Sequence, residues 1–270
     1  MAHPPNHQPL DPAQLLAWYA AMGVDVALDE EPTDRFAPGK LSPPPRVSPD
    51  IGASAPVPLR KAPAAMPTDA AADAAKATAG SAKTLDELRE ALNRFEGCNL
   101  RLTATQLVFA DGNPEGRVMF VGEAPGRDED IQGLPFVGRS GQLLDRMLTA
   151  IGLSRQSVYI ANVVPWRPPG NRTPTPQETL ICRPFIQRQI ELADPDFLVL
   201  LGAPSAKELL GTDEGILRLR GRWRDYETGS RTIKALPTLH PAYLLRQPLQ
   251  KRLAWRDFLA LKKALDASQP

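Results

Sequence analysis

The sequence predicts an α/β protein, a three-layer α/β/α sandwich in which helices cover both faces of a central four-stranded, mostly parallel sheet. Four short runs of strand length alternate along the chain with segments of helical periodicity. The first three are apolar at most positions, as expected for strands that are buried on both faces, and the fourth is half polar. No internal repeat is visible. Strands that alternate with helices in this way pair in parallel within one sheet.

The predicted elements follow one another over the C-terminal two thirds of the chain. The first apolar run ends in a glycine turn at Gly122, as is typical of a buried strand. The predicted strands are 117–122, 158–164, 196–202 and 231–236. The predicted helices are 84–94, 140–151, 176–192, 203–210 and about 250–265.

The chain consists of two unlike parts. Residues 1–82 are dominated by Pro, Ala and polar residues and contain few large apolar side chains. Such a composition cannot bury enough apolar surface to offset the entropy lost on ordering. We therefore predict an N-terminal segment over residues 1–35, a disordered Pro/Ala-rich linker over 36–82 and one globular domain over 83–270.

A short amphipathic helix is predicted inside the N-terminal segment. Asp11 and Pro12 are suited to an N-cap and a first helical turn. Gly23 ends an apolar periodicity formed by Leu15, Leu16, Trp18, Tyr19 and Met22. Such a helix either binds a protein partner or folds back on the domain, and the sequence leaves both open.

Charge and cysteine content narrow the class of protein. The net charge of +1 gives no overall attraction to nucleic acid, but basic residues cluster in the C-terminal part. That cluster is either a phosphate-facing surface or a set of solvated charges. No signal peptide and no apolar run of membrane-spanning length is visible. We expect a cytoplasmic monomer without membrane contact, whose two cysteines, Cys98 and Cys182, form no disulfide and make a poor metal site.

The ends of three predicted strands point to a binding site. In open α/β sheets, ligands bind beyond the carboxyl ends of the strands. Glycine, proline and polar residues follow the strands there, in the segments 122–130, 162–172 and 239–246. One such turn carries little information, but three at the same sheet edge predict the functional site.

The stretch from Cys98 to Arg246 resembles the family-4 uracil-DNA glycosylases. The matching segments occur in the family's order, at 103–106, 122–130, 133–138, 162–172 and 240–246. The resemblance implies an enzyme that flips uracil out of DNA and hydrolyses its N-glycosidic bond, leaving free uracil and an abasic site. It also implies uracil-containing DNA as the partner and a location at the nucleoid.

The resemblance assigns contacts with uracil to a small set of residues. His240, the one histidine outside the N-terminal tail, would donate to uracil O2. Asn162 would donate to O4 and accept from N3–H, a pattern that cytosine reverses. Phe136 would stack on the flipped base, Gly122 would let the backbone approach it closely, and the backbone amides of Glu123 and Ala124 would donate to uracil. Each side chain also has a structural alternative: a histidine after a strand, an asparagine bonded to its own backbone, or a core phenylalanine.

Two carboxylates are candidates for water activation. Many members of the superfamily place an aspartate where this chain has Ala124. Glu123 and Glu129 are then the nearby groups that would orient water or stabilise the sugar cation. Either would instead cap the helix that follows, because carboxylates are favoured in a first helical turn.

The resemblance places further residues against DNA. Apolar side chains would enter the duplex where the base has left, next to a guanidinium on a phosphate. These residues are Tyr243, Leu244, Leu245 and Arg246. An ordinary helix start after His240 is the alternative. Further strand contacts are expected from Arg167, Asn171 and Arg172.

The chain departs from the family at a metal site. Typical members hold a [4Fe–4S] cluster on four cysteines, and Cys98 and Cys182 match the second and the fourth. Phe95 and Trp166 stand at the first and the third, and two thiolates cannot hold a cluster that needs four. We therefore predict no cofactor and expect the two aromatic side chains to fill the space by apolar packing.

Two other functions stay open. Loss of the cluster could accompany loss of catalysis, which would leave a protein that binds uracil in DNA without cutting it. A nucleotide hydrolase could use the same sheet edge and would act on free nucleotides without depending on Asn162. Covalent capture of uracil by a histidine after the second strand is not expected, because residues 166–175 contain none.

Overall fold

The computed structural model describes residues 68–268 of the chain. The strands are β1 (Asp111–Gly112), β2 (Val118–Gly122), β3 (Tyr159–Asn162), β4 (Phe197–Leu201), β5 (Arg224–Glu227) and β6 (Thr232–Thr238). The helices are α1 (Thr68–Ser81), α2 (Leu85–Arg94), α3 (Leu100–Thr103), α4 (Arg127–Gln132), α5 (Arg139–Ala150), α6 (Pro176–Ala193), α7 (Ala203–Leu210), α8 (Ile216–Leu219), α9 (Pro241–Arg246) and α10 (Lys251–Ala267). Within residues 68–268, no helix is both long and apolar enough to cross a membrane.

The strands form one sheet in the order β1-β3-β2-β4-β6-β5. The four predicted strands, β3, β2, β4 and β6, pair in parallel at its centre, which confirms the predicted fold class. Two short antiparallel strands, β1 and β5, extend its edges. The sequence did not indicate them, because β1 has only two residues and β5 buries only Tyr226.

Alternate residues of the central strands face opposite layers of helices. Met119 and Val121 of β2 pack in the apolar cluster that includes α1, α2 and α6. Val118 and Phe120 pack in the cluster that includes α5 and α10. Successive side chains of a strand point to opposite faces, and all five residues of β2 are buried. The sheet is therefore the middle of three layers.

The linker prediction is wrong at its C-terminal end. Residues 68–81, inside the predicted disordered linker 36–82, form α1. Ala71, Ala75 and Ala79 recur every four residues and are buried where α1 packs along α6. Alanine is the strongest helix former, and a stripe of small side chains escapes a count of large apolar residues. The predicted N-terminal helix and the rest of the linker lie outside the described residues.

A buried carboxylate fastens the end of β6 to the last helix. Asp257 of α10 accepts hydrogen bonds from Thr238 Oγ1 at 2.6 Å and from Arg220 Nε at 3.1 Å. Burial raises the pKa of Asp257, whereas the Thr238 hydroxyl and the Arg220 guanidinium favour its charged form. Because Thr238 is the last residue of β6, this contact fixes the chain just before His240.

Candidate active site

The carboxyl ends of β2, β3 and β6 bring three predicted site residues to one edge of the sheet. Gly122 and Asn162 are paired neighbours at the ends of β2 and β3. His240 follows β6 by two residues and is the N-cap of α9. Backbone pairing of parallel strands therefore sets the spacing of these residues, at the edge where open α/β sheets bind ligands.

The side chains of Phe136 and Asn162 both approach the backbone at Gly122. A Cβ at this position would lie 2.6 Å from Cζ of Phe136 and would also collide with Oδ1 of Asn162. The Phe136 ring and the Asn162 carboxamide therefore meet over residue 122. Both side chains are buried, so an apolar ring and a carboxamide share one enclosed space.

The side-chain oxygen of Asn162 is a buried acceptor. Oδ1 makes no hydrogen bond with any residue in the part of the chain that the structure describes. A buried polar atom left without a partner costs about 1–3 kcal/mol, and such atoms are few in folded proteins. Asn162 Oδ1 does not bond the strand-end backbone, so this oxygen is available to a ligand that carries an N–H donor.

Phe136 belongs to the site and to the core at once. Its φ of 56° lies in the left-handed region, which bulky residues rarely adopt. Its ring is stacked on the imidazole of His240, with centroids 5.5 Å apart and planes at 30°. It also packs in the apolar cluster that includes α5 and α10. The structure therefore combines the stacking role and the core alternative in one residue.

Arg155 holds the backbone around Phe136, although no sequence pattern indicated it. Its Nη1 donates to Pro135 O at 3.0 Å and its Nη2 donates to Phe136 O. Asp111 at 2.5 Å and Asp145 at 3.1 Å fix the guanidinium from the other side. Arg155 thereby connects β1, α5 and the loop that carries the Phe136 ring.

Gly141 packs against the same carbonyl group. A Cβ at Gly141 would collide with Phe136 O, so the first turn of α5 approaches this loop through a glycine. A glycine inside a predicted helix is a signal that could have been noticed, because it costs helix stability. Arg155 stands in a polar turn and gave no comparable signal.

Glu129 lies at the site, but its carboxylate is already occupied. Oε1 accepts from Val137 N at 3.1 Å and from Gly138 N at 2.9 Å, and Oε2 accepts from Gly126 N at 3.1 Å. These contacts are those of the capping alternative and do not support the water-activating role. Glu129 joins the loop after β2 to the loop around Phe136.

Glu123 is the carboxylate that remains available. Its Oε1 is buried and has no hydrogen-bond partner among residues 68–268, and burial raises its pKa. It lines a cleft of about 140 Å³ between the loops after β2 and β3, together with Asn171 and Arg172. A carboxyl group with a perturbed pKa in a cleft is suited to acid–base work or to stabilising a cation.

His240 is neutral, and its tautomer is fixed. Its Nδ1 accepts a hydrogen bond from Ala242 N at 3.1 Å. Burial lowers the pKa of His240 to about 4, and the positive charge of Arg246 adds to this shift. A neutral imidazole whose Nδ1 accepts carries its proton on Nε2. His240 therefore offers one N–H donor.

The residues of α9 that were predicted to enter DNA differ in exposure. Leu245 is 37% exposed, Arg246 is exposed and Tyr243 is half-buried. Leu244 is fully buried in a small apolar cluster, so the prediction that it enters the duplex is wrong for this conformation. The reason is helical spacing, which turns Leu244 inward on the same face as Pro241.

The polar residues after β3 hold one another. Arg167 Nε donates to Asn171 Oδ1 at 2.7 Å, and Arg172 pairs with Glu178 of α6 at 2.6 Å. The hydrogen bond from Arg172 lowers the pKa of Glu178. These contacts shape the loop that faces Glu123 across the cleft, and the DNA contacts predicted for this loop stay predictions.

The four positions that match the family's metal site lie in one apolar cluster. The Sγ atoms of Cys98 and Cys182 are 3.9 Å apart. The hydrogen bond with Cys98, together with burial, raises the pKa of Cys182. The Phe95 ring packs edge-on against Phe185 with centroids 5.0 Å apart, and Trp166 is buried. Both aromatic side chains thus face the interior.

We expect the imidazole of His240 to stay neutral until the pH approaches about 4, because burial holds its pKa near that value. An exposed histidine has a pKa of about 6.5. Imidazole nitrogen NMR over a pH series measures the difference. Because the folded pKa is the lower one, the unfolded chain binds a proton first, and the free energy of unfolding should fall as the pH drops from about 6.5 towards 4. A His240 transition near pH 6.5 would contradict this result.

Replacing Arg155 by glutamine should shift the ring signals of His240 in proton NMR. The substitution frees the Phe136 carbonyl, and the Phe136 ring then no longer keeps its stacked position on the imidazole. Arg117→Gln is the matched control, because Arg117 forms a similar ion pair with Asp196, at 2.7 Å, at the opposite end of the sheet. Unchanged His240 signals in the R155Q variant would show that Arg155 does not hold the site.

Comparison with known proteins agrees with this geometry. The family described as the uracil DNA glycosylase superfamily matches residues 109–259. A type-4 uracil-DNA glycosylase of Thermotoga maritima is 44% identical over 163 residues, which is 60% of this chain and 83% of the relative. Those of Archaeoglobus fulgidus and Saccharolobus solfataricus are 37% and 38% identical, covering 70% and 68% of this chain and 96% and 87% of the relatives. The chain belongs to the uracil DNA glycosylase superfamily.

Proposed function

We propose that this chain is a uracil-DNA glycosylase, which takes uracil out of the DNA stack and hydrolyses the bond between uracil N1 and the deoxyribose C1′. The products are free uracil and an abasic site. Relatives at 37–44% identity carry the name type-4 uracil-DNA glycosylase. The single observation that carries the proposal is the buried, unpartnered Oδ1 of Asn162 beside the Phe136 ring.

Recognition of uracil rests on the Asn162 carboxamide. Its free Oδ1 accepts from uracil N3–H, and its Nδ2 donates to O4. Cytosine presents an acceptor at N3 and an amino donor at C4, so both contacts would become unfavourable. Each mismatched buried group costs about 1–3 kcal/mol. Two such mismatches discriminate uracil from cytosine by hydrogen bonding alone.

Stabilisation of the departing base rests on His240. Breaking the glycosidic bond places negative charge on uracil and positive charge on the sugar. A fixed donor at the atom where negative charge develops lowers the barrier most. The neutral imidazole with its proton on Nε2 is such a donor for uracil O2, because its Nδ1 is already held by Ala242 N.

The remaining groups position the base and the water. The rings of Phe136 and His240 are already in contact, so the base stacks on Phe136 beside the imidazole and does not lie between the two rings. Glu123 lines a cleft with Arg172, and we assign it to the sugar side of the bond. There its carboxyl group orients water or stabilises the sugar cation.

Replacing Asn162 or His240 by alanine should lower the rate of uracil excision at least tenfold with the fold intact, because each variant removes a group that contacts the departing base. Alkaline strand cleavage of a uracil-containing oligonucleotide measures abasic product. Lys263→Gln, at an exposed position of α10, is the control. Binding of uracil DNA by the unaltered protein without strand cleavage would instead identify a non-catalytic uracil sensor.

We also infer that the domain folds without an iron–sulfur cluster. Such a cluster takes four cysteine thiolates, and the chain contains two cysteines. Phe95 and Trp166 fill the other two positions and are buried. Within residues 68–268, no three His, Cys, Asp or Glu side chains are grouped as metal ligands would be. This donor set does not fit the cluster, and apolar packing fastens the same segments.

Purified protein should accordingly contain no iron and show no visible absorption band. Trp166→Ala should lower the free energy of unfolding in urea by about 3–5 kcal/mol, because it leaves a cavity in the core. Trp255→Ala is the matched control and should cost less, since Trp255 is 41% exposed. Stoichiometric iron in the unaltered protein would overturn the inference.

A further inference from the structure

A groove with no role so far lies between α5, α9 and α10. Its volume is about 320 Å³, and its apolar lining comes from Leu143, Met147 and Leu244. Trp255 of α10 also lines it and is 41% exposed. An exposed indole face beside leucine and methionine side chains is typical of a binding surface.

The charged residues that line the groove are all cations. Arg146, Lys251 and Arg252 line it, and no acidic side chain of residues 68–268 does. The acidic residues of the same stretches of helix, Asp145 and Asp257, are engaged by arginines elsewhere in the fold. In the part of the chain that the structure describes, the three cations are exposed and have no local counter-charge. This surface attracts a polyanion.

The groove and the candidate active site share the helix α9. Leu244 lines the groove and belongs to α9, whose N-cap is His240. The two residues are four positions apart, which is about 6 Å along a helix axis. A DNA strand with its uracil at His240 would therefore bring a neighbouring nucleotide to the groove.

We propose that this groove binds the DNA strand next to the flipped nucleotide, with an unpaired base stacked on Trp255 and phosphates on Arg146, Lys251 and Arg252. The proposal rests on the proposed function, since it gives the same substrate a second contact. An aromatic face among basic side chains holds a single strand without reading its sequence. A base can reach Trp255 only when it is unpaired, so the groove favours substrates with a single-stranded flank.

Steady-state excision on two substrates tests the groove. One is a single-stranded oligonucleotide with a central uracil and long flanks, and the other is a trinucleotide too short to reach Trp255. Trp255→Leu and Arg252→Gln should each raise KM for the long substrate at least fivefold and leave kcat unchanged. Neither variant should change kcat/KM for the trinucleotide. A plot of the logarithm of the binding constant against the logarithm of the salt concentration gives a slope that depends on the number of phosphates contacted. Arg252→Gln should make this slope shallower by about 0.7, the value for one phosphate of a single strand.

Lys263→Gln is the matched control, because it removes an exposed cation of α10 that lies about 17 Å from Arg252 along the helix axis. An unchanged KM for the long substrate in both groove variants, as expected for a groove that binds a peptide, would overturn the proposal. An equal loss on both substrates would also overturn it. If the unaltered protein excises no uracil, the proposed function fails. The groove can still be tested in that case, because fluorescence anisotropy with uracil-free single-stranded DNA measures whether Trp255→Leu weakens binding.

Discussion

The backbone of β2 at Gly122 leaves room for no side chain, and this constraint orders the rest of the site. Phe136 reaches this point from a loop and Asn162 from the end of β3, and only a glycine lets them meet there. The left-handed backbone of Phe136 is a strained conformation that persists only when its surroundings hold it. Glu129 and Arg155 do so, by binding amide and carbonyl groups on either side of the ring.

Buried polar groups differ in hydrogen bonding between the site and the rest of the fold. In the part of the chain that the structure describes, the two buried side-chain atoms without a partner belong to Glu123 and Asn162. Other buried carboxylates are engaged; Asp130, for example, accepts from both the amide and the hydroxyl of Thr105. The fold thus satisfies its polar groups except where a ligand would satisfy them, and that is a physical mark of function.

The sequence was informative where a residue's neighbours follow from strand order, and less so where they follow from packing. Apolar runs predicted the four central strands, and motifs at their ends predicted that Asn162 and His240 would share an edge. The role of Arg155 in holding the Phe136 loop was not predictable, because its contacts join segments far apart in the chain. The burial of Leu244 depends on which face of α9 meets α5, and residue types alone do not state this.

The anchor at Asp257 makes α10 part of the machinery around His240. Asp257 lies two residues beyond Trp255 on the same helix, and its hydrogen bond to Thr238 reaches the strand that ends just before His240. Asp257 thereby links the helix that carries Trp255 to the strand that leads to the imidazole. If a ligand on that face of α10 changed the affinity for a ligand at the imidazole, the reverse effect would have the same size, by thermodynamic reciprocity. The bond between Asp257 and Thr238 is the contact in this fold through which such an exchange would pass.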